Sequence, residues 1–261
     1  GCSPVCCPTT SATAASPPCR WPGALPGTRR DAALRHLDAL GLGLRTIEAA
    51  TGRRIRVGLE PEPGCVAETV RQALDGLAST DPERLGLCLD ACHLAVAHED
   101  PAEAVAAVVG SGRPVVKLQA STALQADRPD RAAVREALAP FAEPRFLHQT
   151  REAVRRAGTV VLLDRGDLAE ALDPTAGLPG DNAWRVHYHV PLHADPCPPL
   201  RSTRPTLART LEALFAGRTA GTRHVEVETY TWSVLPERHR RSPARTCRPA
   251  SRPNSTGCAA S

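Results

Sequence analysis

Five segments of this chain narrow the possible folds sharply, because each is an apolar alternation that ends on an acidic or hydrogen-bonding side chain. They are Ile55-Arg-Val-Gly-Leu-Glu60, Leu85-Gly-Leu-Cys-Leu-Asp90, Val115-Val-Lys-Leu-Gln119, Arg185-Val-His-Tyr-His189 and His224-Val-Glu-Val-Glu228. Successive side chains of a strand point to opposite faces. Each segment therefore reads as a strand with one greasy face, and with Glu60, Asp90, Gln119, His189 or Glu228 at the carboxyl end of the other. Together they predict a polar ring at one end of a parallel sheet.

The stretches between them carry helical signals. Ala33, Leu34, Leu37, Leu40, Leu44 and Ile47 recur near a 3.6-residue period, and Gly52 suits a helix end. A helix is expected through Val66, Val70 and Leu74, and another begins near Ala91. Asp100 and Pro101 supply a cap and a first-position proline for the next. The first three polar tips are thus one strand–helix unit apart, roughly the 30 residues a parallel crossover needs. The interval from Gln119 to His189 is about twice that unit. It holds a helix over 131–138, the segment Arg145-Phe-Leu-His-Gln149, an apolar run over 159–163 and a small helix over 167–172. It reads as a crossover enlarged by a hairpin-like excursion over the barrel mouth, and a last helix over 206–215 leads to the final strand.

Alternating strands and helices in 261 residues favour a single α/β domain, and α/β barrels use about this length. A closed barrel needs eight strands and five are legible, so an incomplete (β/α)8 barrel lacking its first three strands is expected. The core spans 29–238. A Pro/Ser/Thr/Ala-rich leader (1–28) and an Arg/Pro/Ser-rich tail (239–261) lack any hydrophobic period and are expected to be disordered. The chain has no methionine, and with the abrupt composition changes near 28 and 238 this points to a fragment or to unreliable ends. Six of the ten cysteines fall in those ends, and Cys65, Cys88, Cys92 and Cys197 read as small buried thiols rather than a disulfide framework. Net charge is +4, with much of the excess in the tail, so no nucleic-acid surface is expected. No apolar run is long enough for a bilayer and no secretory signal is legible, so a cytoplasmic protein without a transmembrane segment is expected.

Carboxylates with amide and imidazole donors form an oxygen-dominated set, which suits manganese, magnesium or a similar divalent ion. Asp90 and His93 share the turn Leu-Asp-Ala-Cys-His, so both can address one ion, or His93 can hold substrate. Lys117 reads either as a snorkelling residue or as a substrate-binding ammonium. His148 is a weaker substrate contact, and His187 and Glu226, one layer below the tips, read as a structural polar network.

The motifs Leu59-Glu-Pro-Glu-Pro-Gly-Cys65, Cys88-Leu-Asp-Ala-Cys-His93, Lys117-Leu-Gln-Ala-Ser-Thr-Ala-Leu124, Phe146-Leu-His-Gln149, Arg185-Val-His-Tyr-His-Val-Pro191 and Glu226-Val-Glu-Thr-Tyr-Thr-Trp-Ser-Val-Leu-Pro236 resemble the metabolite traffic protein EboE family of the xylose isomerase-like TIM barrels. The likeness runs from about Arg30 to Arg238. It implies a divalent metal (manganese, magnesium or zinc) at Glu60, Asp90, Gln119 and Glu228, with Gln119 standing where better-studied relatives use histidine. It further implies substrate contacts from His93 and His189, and a small polar metabolite as partner. On that footing Glu60 and Glu228 are the expected acid–base pair of a sugar-type isomerase or epimerase. The alternatives are a non-catalytic metabolite-binding or delivery protein and, less favoured, an endonuclease IV-like phosphodiesterase.

Overall fold

A computed structural model describes residues 27–240 of the chain. Apart from 27–28 and 239–240, the leader and tail lie outside the described residues.

The described chain is mixed α/β and is organised around two sheets. The first begins after a long helix α1 (Gly27–Thr51) with β1 (Val57–Leu59), and α2 (Val70–Leu77) leads into β2 (Leu85–Asp90). Then α3 (Ala91–Val96) and α4 (Pro101–Gly110) lead to β3 (Val115–Ala120). The second sheet follows: β4 (Leu124–Ala126), α5 (Ala132–Leu138), β5 (Thr150–Arg156), β6 (Thr159–Arg165), α6 (Leu168–Ala171), β7 (Trp184–Val186) and β8 (Leu200–Ser202). The chain returns through α7 (Arg204–Phe215) to β9 (Val225–Val227) and ends in α8 (Glu237–Arg240).

The first sheet has the order β1-β2-β3-β9 and is parallel throughout. Its middle strand β2 is buried at all six positions, as a strand covered on both faces must be. Leu85, Leu87 and Leu89 pack with Val70, Ala73 and Leu77 of α2, Val105 and Val108 of α4 and Leu214 of α7. Burial of each such leucine stabilises by roughly 1.5–3 kcal/mol. Close strand approach requires glycine here: a Cβ on Gly58 would lie 2.8 Å from the Cys88 amide nitrogen, and one on Gly86 2.2 Å from the Pro114 carbonyl oxygen.

The helices follow their sequence signals. Asp100 caps α4 with Pro101 in its first turn, and α2 opens with a capping box in which Thr69 accepts from the Gln72 amide. The helix expected through Val66 starts only at Val70, because Thr69 provides that cap. On α1 only part of the apolar pattern is used: Leu44 is buried, while Leu40, Leu42 and Ile47 stay exposed.

The second sheet, order β6-β5-β7-β4-β8, is antiparallel throughout and was legible only in part. The hairpin-like excursion is β5–β6, but it belongs to this sheet. Of residues 185–189, expected as one of five parallel strands, only Arg185 and Val186 lie in a strand, β7, paired antiparallel with β4 and β5. Alternation specifies a half-buried strand and carries nothing about the direction of its neighbour. The strands β4 and β8, three residues each, are too short for a period to register. Among the described residues four strands are parallel and the sheet does not close into a barrel. The second sheet has its own core, in which Trp184, Tyr188, Phe141, Leu138 and Leu168 are essentially inaccessible.

Candidate metal and acid–base site

The site grows from Asp90, which ends β2 and caps α3. Its Oδ1 accepts from the amides of Cys92 (2.7 Å) and His93 (3.0 Å) and from the Ser121 hydroxyl (2.7 Å). That capping geometry orients the carboxylate rigidly, and leaves Oδ2 buried with no hydrogen-bond partner in a residue only 1% exposed. A buried carboxylate oxygen without a partner costs on the order of 1–3 kcal/mol or more, so it marks a place where a ligand belongs.

Two further carboxylates arrive from the two edge strands of the same sheet, just past their ends. Glu60 follows β1 and Glu228 follows β9, and each places an oxygen within 4.8 Å of one from Asp90 and of each other. Burial, with Asp90 and Glu228 nearby, raises the Glu60 carboxyl to about 7 although His93 opposes it. Burial and Asp90 likewise raise Glu228. Burial would push Asp90 up too, but His93, His189 and its hydrogen bonds outweigh that and hold it below the usual range.

The histidines stand beside this group. His93 Nδ1 donates to the Pro61 carbonyl at 3.0 Å and lies 3.3 Å from Glu60 Oε1. Its Nε2 meets His187 Nε2 at 3.1 Å, while His187 Nδ1 meets Gln149 Oε1 at 2.7 Å. If the Gln149 oxygen accepts, His187 carries its hydrogen on Nδ1 and His93 must supply the one between the rings. His93 is then the imidazolium of the pair. Burial lowers its pKa, but Asp90 and Glu60 outweigh burial and raise it. His187 is driven well below its ordinary value by burial and by His93. His189, 1% exposed, leaves Nε2 without a partner, and burial lowers it to about 4. Its strand segment is held by Val190 N to Thr122 O (2.9 Å) and by the Thr231 hydroxyl to its own carbonyl (2.5 Å). Tyr230 packs on the His189 ring, centroids 4.7 Å apart.

Three expected site residues are placed otherwise. Gln119 aligns with Asp90 in the sheet, but its Oε1 accepts from the Cys88 thiol at 2.6 Å. That bond occupies one of the two lone pairs of the amide oxygen. Lys117 is paired with Glu226 at 2.7 Å, one layer below the carboxylates, which commits its ammonium to a structural partner. His148 is fully buried, with Nδ1 on the His187 carbonyl (2.9 Å) and Nε2 on Glu143 (3.0 Å), so no ring nitrogen is left for substrate.

Sequence reasoning placed His187 in a structural polar network and gave Glu62, Ser121 and Tyr230 no role. His187 shares a face with His189, two residues away, and that spacing was the available signal. Glu62 joins His93 and His187 as a second possible ligand group, and Asp90, His93 and His189 form a third. Cys88 and Cys92 are buried thiols without a disulfide.

The donor set fits a hard divalent cation. Three carboxyls face one imidazolium, positive charge is in deficit, and the unpartnered atoms are an oxygen and an imidazole nitrogen. No family model, curated protein or solved structure matches the chain.

Proposed function

We propose that this chain is part of a xylose isomerase-like barrel of the EboE type, and that it handles a small polar metabolite as a divalent-metal-dependent sugar isomerase or epimerase. The observation that carries this reading is the convergence of Glu60, Asp90 and Glu228 within 4.8 Å around the unpartnered Asp90 Oδ2. Glu60, Asp90 and Glu228 would hold the ion, with His189 Nε2 within reach of the same aspartate. A bound divalent ion supplies Lewis-acid polarisation of a carbonyl and hydroxyl pair.

The protein groups supply the proton chemistry. Burial and its acidic neighbours raise the Glu60 carboxyl in the absence of an ion, and it is the group proposed to exchange a proton with substrate when it is not held by the ion. Glu228 comes from the other edge strand of the sheet and is the second carboxyl proposed for proton exchange with the substrate carbon. His93, with its two N–H groups held by Pro61 and His187, would contribute positive charge beside Glu60 and Asp90.

Incubation of metal-supplied protein with candidate ketoses and their phosphates in D2O tests this reading. Deuterium is expected at a carbon beside the carbonyl, and Glu228→Gln should lower the rate about a hundredfold or more. Absence of exchange with every candidate, metal present, would sink catalysis.

One observation favours a second reading, metabolite binding without turnover: Gln119, at a ligand position of the family pattern, turns its oxygen to Cys88. In that case ligand binding survives both chelation and Glu228→Gln.

A further inference from the structure

A second group of unsatisfied polar atoms lies at the other end of α3 from His93. The strand β7 places Arg185 directly across from Arg151 of β5 on one side and Gln125 of β4 on the other, with Arg201 of β8 beyond it. Neighbouring strands are about 4.8 Å apart, so three arginines share one row on one sheet face. Arg185 Nη1 donates to the Ala95 carbonyl at 2.8 Å, and the His98 amide donates to that same carbonyl at 3.0 Å. His98 therefore stands against Arg185. It adopts a left-handed backbone, φ 56°, a conformation that costs a non-glycine residue on the order of 1 kcal/mol.

The charge accounting is one-sided. Arg151 is matched by Glu68 (2.7 Å), Arg201 by Asp127 (2.7 Å) and Arg209 by Asp100 (3.4 Å). Among the described residues Arg185 has no carboxylate partner in an ion pair, although it is largely withdrawn from solvent. Burial, with Arg209 and Arg201 nearby, lowers its pKa. Three buried nitrogens here lack a hydrogen-bond partner: Arg185 Nε, Arg151 Nε and His98 Nε2. Capping of α3 accounts for one Arg185 donor out of the five a guanidinium carries, and leaves the charge uncompensated.

We propose that Arg185, Arg151 and His98 form a binding site for a phosphate-type oxyanion. The guanidinium Nε–H groups donate to its oxygens, as arginine's planar fork does for tetrahedral oxyanions. The other ring nitrogen of His98 donates to the Arg151 carbonyl, so Nε2 of the neutral ring is an acceptor. It is matched to a P–OH, a group hydrogen phosphate carries and sulfate lacks. Exposed Arg201 and Arg209, although each is paired with an aspartate, lie near enough to act on Arg185 and to add to the positive potential there. The site stands independently of the carboxylate cluster and does not rely on its being catalytic.

Phosphorus-31 line broadening of inorganic phosphate by the full chain tests the site, with chloride at equal ionic strength as control. Saturable broadening at millimolar phosphate or below is expected, with sulfate competing at least about tenfold more weakly. Arg185→Gln, which keeps a donor for Ala95, should weaken binding at least about tenfold. Arg209→Gln, on the exposed rim where folding is not at risk, should weaken it by about twofold to threefold. A sugar phosphate that displaces inorganic phosphate at lower concentration identifies a phosphorylated metabolite as the source, and displacement only at higher concentration identifies free phosphate. The proposal is overturned if chloride abolishes broadening at equal ionic strength, if folded Arg185→Gln binds as tightly as the parent, or if sulfate matches phosphate.

Discussion

Replacing Asp90 by asparagine separates its two roles, because Oδ1 builds the fold and Oδ2 has no internal partner. Asparagine caps helices about as well as aspartate, so the bonds from the Cys92 and His93 amides and from Ser121 can survive in neutral form. Charge-assisted bonds are roughly twice as strong as neutral ones, so that change costs on the order of 1–2 kcal/mol. Neutralising Asp90 relieves its burial and its repulsion of Glu60 and Glu228, but forfeits the attraction of His93 and His189 that keeps it ionised. These changes oppose one another, and the metal-free variant should lose no more than about 2 kcal/mol relative to the parent. Metal behaves differently. A ligand at a hundred times its dissociation constant stabilises by about 2.7 kcal/mol, or roughly 5–11 °C at 2–4 °C per kcal/mol for a domain of this size. Thermal unfolding with EDTA, and with manganese, magnesium or zinc, should show that rise for the parent and none for Asp90→Asn. Asp90→Ala, which also strands two amides, should lose a further 1–2 kcal/mol or so without metal. Equal metal-induced shifts in parent and Asp90→Asn, or no shift in the parent with any of the three ions, would refute the argument.

Glu152 is fully buried and accepts from the amides of Gly180 (2.8 Å) and Asn182 (2.8 Å) and from Trp184 Nε1 (2.9 Å). Glu152→Ala strands all three donors and should cost at least about 3 kcal/mol, read as a lowered denaturation midpoint in Trp184 fluorescence; a loss under 1 kcal/mol contradicts it. Glu99, held by burial at about 6 despite its bonds to the Val70 amide, is raised above its unfolded value of 4.5. The folded state therefore binds its proton more tightly, and the penalty for ionising it is present above pH 6 and relieved as pH falls through 6 to 4.5. The parent should gain about 2 kcal/mol relative to Glu99→Gln between pH 7 and pH 4.5; parallel pH profiles would count against this. Lys117→Met breaks a partly exposed pair with Glu226 and should cost no more than about 1 kcal/mol, with ligand affinity unchanged in titration calorimetry. A large affinity loss would return Lys117 to the substrate.

What could be read in advance followed from short-range rules. Asp100-Pro101 and Asp90 mark helix starts because their side chains cap amides two and three residues on, an interaction that needs no distant partner. Glu60, Asp90 and Glu228 were legible because each sits at or just past the end of an alternating run, and in-register parallel strands bring such ends together. The failures were long-range. Gln119 accepts from Cys88, a residue 31 positions away whose thiol happens to face it. His148 is consumed by Glu143 and by the carbonyl of His187. His187 enters the site because the rings of His93 and His187 meet across a gap of 94 positions.

The order of residues alone determined the α/β class, the helix caps and the carboxylates at the ends of β1, β2 and β9, since periodicity and capping act within a few residues. The fold alone decided that Trp184–Val186 joins an antiparallel sheet and that Lys117 is spent on Glu226. It alone left Asp90 Oδ2 and Arg185 Nε without hydrogen-bond partners. Strand direction and the pairing of buried polar groups depend on which segments become neighbours, and that is settled only when the whole chain packs.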